Sequence, residues 1–324
     1  MRNVGGVVLA SVVALALGGT ALAAPAPAPA PKRAEVHALK VTVLSTMMAD
    51  DGIGEWGFAA LVECDGKKIL YDTGARPRTV LENAGELNID LADVEDVVLS
   101  HFHSDHTTGL LTLRRELAAK NPAALSRVHV GKGMFRPRRG MDNKMIGIRQ
   151  EVEATGARFI EHDEAAEIFP GVWVTGNIPR PNPERNYPLG IQVAQGDDWV
   201  ADDVPEDQAL AFNAPKGLVV ITGCGHAGIV NTLQHVRTSV RDAPFLAIMG
   251  GFHLYDAKPA TIDWTAGKLK AFHVTQILGA HCTGIETVYI LRQRMGLARK
   301  DCLVATIGAT FDLASGIHTG SISG

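Results

Sequence analysis

The chain has no surplus of positive charge: its 324 residues carry 31 Lys and Arg against 35 Asp and Glu, a formal net charge of −4. A protein that tracks a phosphate backbone shows a basic domain or stripe, so nucleic acid is not an expected partner. Cysteine is scarce too. Cys64, Cys224, Cys282 and Cys302 are the only four, and no two are separated by two residues, which excludes a metal knuckle of the CxxC kind. No repeat recurs at the periods of solenoids or propellers. What remains is 46% hydrophobic and 20% charged, ordinary for a globular protein that can bury a large core without disulfide staples.

The first residues read as a targeting signal. Arg2 supplies a short positive start, Val7–Leu17 is apolar but too short to span a bilayer, and Ala21-Leu22-Ala23 offers the small residues a signal peptidase reads. Ala24–Pro31 alternates Ala and Pro, which cannot continue a helix and forms a stiff extended tether. No cysteine follows the apolar run, so no lipid anchor is expected. The expectation is a signal peptide over 1–23, an Ala/Pro-rich linker over 24–36 and one catalytic domain over 37–324. That domain would be periplasmic or secreted, with no stable membrane anchor after cleavage. Export makes a disulfide chemically possible, but spacing does not pair the thiols. Cys224 and Cys282 each stand within two residues of a histidine of interest and are candidates to line a site.

Period-two alternation and β-branched residues predict strands at His37–Leu44, Phe58–Glu63, Lys67–Tyr71, Asp96–Ser100, Arg127–Val130, Val172–Thr175, Leu210–Phe212, Leu218–Thr222, Phe245–Met249 and Thr275–Leu278. Helical spacing predicts helices over Arg78–Gly85, after Thr107, over Ala227–Val240 and over Thr261–Phe272. Strands group as hairpins in the first half and alternate with helices in the second, which favours a layered α/β fold.

His101-Phe102-His103-Ser104-Asp105-His106 places four ligand-type side chains within six residues at the end of a strand. In extended backbone His101 and His103 project to the same side and can bind one ion together. Asp105 and His106 lie where the chain turns towards a helix and can face a neighbouring ion. Imidazole and carboxylate suit zinc, and also manganese or iron. Three later strands each end in glycine and a histidine: Leu218–Gly228 with Cys224 and His226, Ile248–Leu254 with His253, and Leu278–Gly284 with His281. Packing alone does not account for three such endings on a chain that already carries the HxHxDH cluster. The remaining histidines, such as His129 and His162, have no comparable setting and read as surface or packing residues.

This strand–HxHxDH–helix unit, preceded by Ile69-Leu70-Tyr71-Asp72-Thr73-Gly74, resembles the metallo-β-lactamase superfamily. The resemblance implies an αββα sandwich in a single domain, with a metal site along one edge between two sheets. It implies that Asp72 supports the site through hydrogen bonds, orienting histidine ligands, and that His281 is the last ligand. The segments TGCGHAG, GGFHL and HCTG, with Thr175–Arg180, resemble one branch in particular. That branch holds an archaeal dihydropterin–ribofuranosylaminobenzene phosphate synthase and uncharacterised bacterial relatives. The common pattern has a histidine near Asn177–Ile178 and an aspartate near Cys224, and both are missing here. His226 is the candidate replacement for one of them, with Cys224 as the alternative.

The metal set is therefore His101, His103, Asp105, His106, His226 and His281, holding one or two divalent ions, zinc first. Asp105, Asp72 and His253 are the catalytic candidates, His253 as proton donor to a leaving group. Arg138 and Arg139 in the basic stretch Lys132–Arg139, and Arg180 in a proline-rich loop, are candidates to recognise an anionic small-molecule substrate. The expected activity is hydrolysis, a metal-activated water attacking an ester, lactone, amide or phosphoester. A pterin-type group transferase and a non-catalytic exported metal- or ligand-binding protein are the alternatives.

Overall fold

Leu39, Val41 and Val43 lie on one face of β1 (Leu39–Ser45) and enter the core, while Lys40 between them stays exposed. β1 pairs antiparallel with β2 (Ala59–Cys64), which turns at Asp65-Gly66 into β3 (Lys67–Tyr71). Both turn residues have positive φ, 44° and 79°, the backbone twist that a two-residue hairpin requires. α1 (Thr79–Glu86) leads to β4 (Asp96–Val98), parallel to β3. The short α2 (Ser104–Thr107) and α3 (Leu110–Ala118) lead to β5 (Arg127–Gly131). β6 (Arg138–Arg139) and α4 (Met145–Glu153) precede β7 (Arg158–His162), and β4, β5 and β7 are parallel.

β8 (Ala166–Phe169) and β9 (Val172–Val174) begin a second sheet, and β10 (Gln192–Gln195) and β11 (Asp198–Ala201) form a small sheet with β6. β12 (Leu210–Ala214) and β13 (Gly217–Thr222) make a hairpin. Then α5 (Ile229–Ser239), β14 (Phe245–Gly250), α6 (Pro259–Ala271), β15 (Gln276–Gly279), α7 (Ile285–Met295) and β16 (Cys302–Val304) alternate, their strands parallel to β13. β17 (Thr310–Asp312) and β18 (Gly316–His318) return to the first sheet beside β1.

The computed structural model describes residues 1–2, 5–6, 33–187 and 189–324. Most of the expected signal peptide over 1–23 and of the expected linker over 24–36 therefore lies outside the described residues. The compact unit runs over Ala34–Gly324 and takes in the last three residues assigned to the tether. Val36 is fully buried and its N–H donates to Asn213 O at 2.8 Å, and Glu35 pairs with Arg241 at 3.2 Å.

The two large sheets run β18-β17-β1-β2-β3-β4-β5-β7 and β16-β15-β14-β13-β12-β9-β8. Three apolar layers bind four structural layers together. Val41, Val62, Tyr71, Phe212, Ile221 and Met249 lie between the sheets. Leu70, Val97, Leu110, Leu113 and Val152 join the first sheet to α3 and α4, and Val220, Ile248, Leu233, Leu269 and Leu291 join the second to α5, α6 and α7. At about 1.5–3 kcal/mol for each large side chain removed from water, these layers are the main drive for the fold. The result is the αββα sandwich in one domain. The parallel strands β3 and β4 of one sheet, and β13, β14 and β15 of the other, all lead at their carboxyl ends into the residues of the site.

Candidate metal centre

Asp72, just after β3, is fully buried and stands at φ 55°. Its Oδ1 accepts the Ser100 N–H at 2.7 Å, and its Oδ2 accepts both the Ser100 hydroxyl and His106 Nδ1–H, each at 2.7 Å. The Ser100 O–H already donates to Asp72, so its Oγ accepts from His101 Nδ1–H at 2.9 Å. One carboxylate thereby fixes the tautomers of two histidines and leaves Nε2 of His101 and His106 with free lone pairs. His226 Nδ1–H is taken by the carbonyl of Asn186, which frees its Nε2 in the same way.

These nitrogens converge in two groups. His103 Nδ1 lies 2.9 Å from His101 Nε2 and 3.1 Å from His226 Nε2. Beside them stand Asp105, His106, Cys224 and His281. There His106 Nε2 is 3.1 Å from Cys224 Sγ, and Asp105 Oδ2 is 3.2 Å from His281 Nε2. Cys224 also lies within 4.8 Å of the donor atoms of His101 and His226, so it stands between the groups. The structure brings both candidates to the site: His226 stands beside His103, and the Cys224 thiol lies among the donor atoms of both groups. All four cysteines are free thiols.

A cation fits this donor set. Nitrogens around a tetrahedral zinc with bonds near 2.05 Å stand about 3.3 Å apart, close to the spacings found here. A proton on His103 Nδ1 can satisfy His101 or His226 but not both. His281 Nδ1 and His103 Nε2 are buried with no hydrogen-bond partner among the described residues, the kind of deficit that a missing ion explains.

The electrostatics agree. Burial and the neighbouring imidazoles hold His101 and His226 well below the ordinary histidine range, and burial takes His103 down to about 4. All three are thus neutral donors. Burial opposes charge on His106 as well, but Asp105 and Asp72 lift it to about 9. The negative potential that holds a proton there also favours a metal cation. Burial would raise Asp105, yet His106, His281 and His103 keep it well below the carboxylate range. His253 and His281 share with Asp72 a left-handed backbone, φ 48° and 45°, strain of the sort found where a site dictates geometry.

A cleft of about 1030 Å³ opens onto His103, His226 and His253. His253 lies with its ring 4.6 Å from that of His226, and its Nδ1 is unpartnered. Trp56 stacks at 4.8 Å on His281 and at 5.5 Å edge-on against Tyr255.

The three arginines expected to meet substrate are engaged elsewhere. Arg138 is buried, paired with Asp202 and Glu206 at 2.7 Å each and stacked 3.5 Å over Phe102. Arg139 lies 3.9 Å over Trp199 on the small sheet. Arg180 donates to the carbonyls of Asp203 and Val204. None of the three lines the cleft. Ser100 and Asn186 were not foreseen. Asn186 acts through a backbone carbonyl, which leaves no mark in a sequence.

Fold and site together define a class. A family model described as the metallo-beta-lactamase superfamily matches residues 57–235, and the chain belongs to that superfamily. Within it, the 7,8-dihydropterin-6-methyl-4-(beta-D-ribofuranosyl)-aminobenzene-5'-phosphate synthase of Methanocaldococcus jannaschii is 31% identical over 267 residues, covering 78% of this chain and 90% of that protein. The uncharacterized protein MJ0448 of the same organism is 29% identical over 243 residues, 73% of this chain and 87% of its own length. Among solved structures, Tm1679, described as a metal-dependent hydrolase of the beta-lactamase superfamily, is similar with a TM-score of 0.66 and 26% identity, covering 84% of this chain and 98% of that one.

Proposed function

We propose that this chain is an exported metal-dependent hydrolase of small molecules, with zinc the favoured ion and manganese or iron the alternatives. The observation that carries this reading is a pair of adjacent donor groups beside an open cleft: Asp105/His106/Cys224/His281, and His101 and His226 meeting at His103 Nδ1. A thiolate donor tilts the choice towards zinc. A divalent ion bound there supplies Lewis acidity and lowers the pKa of a water towards neutrality.

The chain's own groups do the rest. Asp72 aims His106 directly and His101 through Ser100, and the Asn186 carbonyl aims His226. Asp105, ionised and with 22% of its side chain exposed, is placed to accept the proton of an attacking water. His253 lines the cleft and would be the group that protonates a leaving group. Esters, lactones, amides and phosphoesters all fit such chemistry, and fold alone does not choose among them. The leader-like segment before residue 24 supports a periplasmic or secreted location.

Elemental analysis of the purified protein tests this reading. One to two equivalents of zinc, manganese or iron are expected, with clearly fewer in His103→Ala, together with turnover on a panel of phosphoesters and lactones that the variant loses. Equal metal content in both proteins would overturn it. Full metal loading with no turnover would favour a binding protein instead. The relative named as a synthase motivates a second reading, transfer of a pterin-linked group. A product formed from a dihydropterin pyrophosphate and an aminobenzene ribofuranosyl phosphate would establish that one.

A further inference from the structure

Two cations on the cleft wall have no partner. Arg185, in the proline-rich loop before β10, and Lys258, immediately before α6, both line the cleft and are exposed. Among the described residues neither makes an ion pair or a side-chain hydrogen bond, whereas Arg138 and Arg180 are spent on Asp202, Glu206 and Asp203. Glu184 on the same wall makes no ion pair with either among the described residues; its two carboxylate oxygens accept the N–H groups of Val230 and Asn231. Asp256 is the other lining carboxylate; among the described residues it makes no ion pair, and its charge acts on His253 and Tyr255.

Ala260, Thr261 and Trp264 bring the first turn and a half of α6 to the cleft, and that helix start has no side-chain cap. Pro259 has no N–H and the Thr261 N–H donates to the Lys258 carbonyl, so the Ala260 N–H and the helix dipole are what reinforce the positive potential set by the two side chains. Flat surface is available beside them. Tyr255 is 50% exposed, packs edge-on to His253 at 5.5 Å, and lines the cleft with Trp264 and Tyr187.

We propose that Arg185 and Lys258 bind an oxyanion, the phosphate or carboxylate of a small substrate whose planar ring lies against Tyr255 and Trp264. The bond to be cleaved then reaches towards His103, His226 and His253. This deepens the hydrolase reading and rests on it for the direction of the substrate. A guanidinium offers a planar fork to such an oxyanion and an ammonium a mobile point charge, so the two complement each other around one group.

The test is calorimetric titration of the metal-loaded full chain with phenylphosphonate, which cannot be hydrolysed, with benzoate and with neutral benzyl alcohol. In Arg185→Ala/Lys258→Ala the dissociation constant for phenylphosphonate is expected to rise about tenfold or more, as for loss of charge-assisted hydrogen bonds. Metal content, melting temperature and benzyl alcohol binding should be unchanged, since both side chains are exposed. Arg185→Lys should lose less than Arg185→Ala. Benzoate behaving like the phosphonate would extend the subsite to carboxylates, and benzoate failing to bind would restrict it to phosphates. Unchanged phosphonate affinity in the double variant would overturn the proposal, as would an equal loss for benzyl alcohol or no binding to the wild type. If phosphonate binding follows the proposal while no ester is turned over, the subsite stands and the hydrolase reading falls.

Discussion

Gly223 sits where a side chain would strike the groups that aim the histidines. A Cβ there would collide with Ser100 Oγ and lie 2.6 Å from Asp72 Oδ2. Gly223→Ala must therefore push apart the Asp72–Ser100 bonds on which His101 and His106 depend. Disturbing partners of this kind costs about 10–100-fold in metal affinity, and competition against a chromophoric chelator should show a loss in that range. Unchanged affinity would mean that the relay has slack. Arg138 makes a contrasting case. Its carboxylate partners, Asp202 and Glu206, lie 64 and 68 positions along the chain, so the basic run KGMFRPRR reads as exposed when only neighbours in sequence are visible. Breaking a buried pair strands its carboxylates, at about 3–5 kcal/mol. Arg138→Ala should lose that much in denaturant unfolding, and Arg139→Ala, a surface contact on Trp199, well under half of it.

At the scale of elements, α5 starts against Glu184, which accepts the N–H groups of Val230 and Asn231 at 3.1 and 2.9 Å. Burial nevertheless pushes this carboxyl from 4.5 up to about 7. A folded-state value above the unfolded one means that the contribution to stability is complete below about pH 4.5. It is lost as the pH rises through about 7, by roughly 3 kcal/mol. The difference in unfolding free energy between wild type and Glu184→Gln should thus shift by about that amount against the wild type between pH 5 and pH 8. A difference independent of pH would refute this account. The elements that carry the site were the legible ones, because β13, β14 and β15 are continuous apolar runs closed by glycine and a histidine. α7 was missed for a physical reason: it buries Thr287, Val288, Leu291 and Met295 yet leaves Ile285 and Tyr289 about half exposed, which blurs its helical period. The hairpin β10–β11 was missed because only Val193 along it is buried, so alternation has nothing to report. His226 and Cys224, two residues apart on one turn, could not be told apart as ligands until the opposite sheet was in place.

Across the whole molecule, the two sheets supply different halves of the donor set. His101, His103, Asp105 and His106 follow strands of the first, and Cys224, His226 and His281 follow strands of the second. A bound ion consequently joins the halves of the sandwich at one edge, where unpartnered imidazole nitrogens would otherwise face each other. An ion that binds only the folded chain stabilises it by about 4 kcal/mol when present at a thousand times its dissociation constant. For a domain of this size that corresponds to a melting temperature higher by roughly 8 °C, at about 2 °C per kcal/mol. Removing the metal with a chelator should lower the melting temperature by an amount of that order, and restoring zinc should recover it in a concentration-dependent way. His103→Ala, with its first donor group broken, should respond much less to both treatments. If the ion leaves, as elemental analysis would record, and the melting temperature stays put, then the sheets are held at this edge by the Asp72–Ser100–His relay and apolar packing alone. The donor groups would then be a passenger on the fold rather than one of its supports.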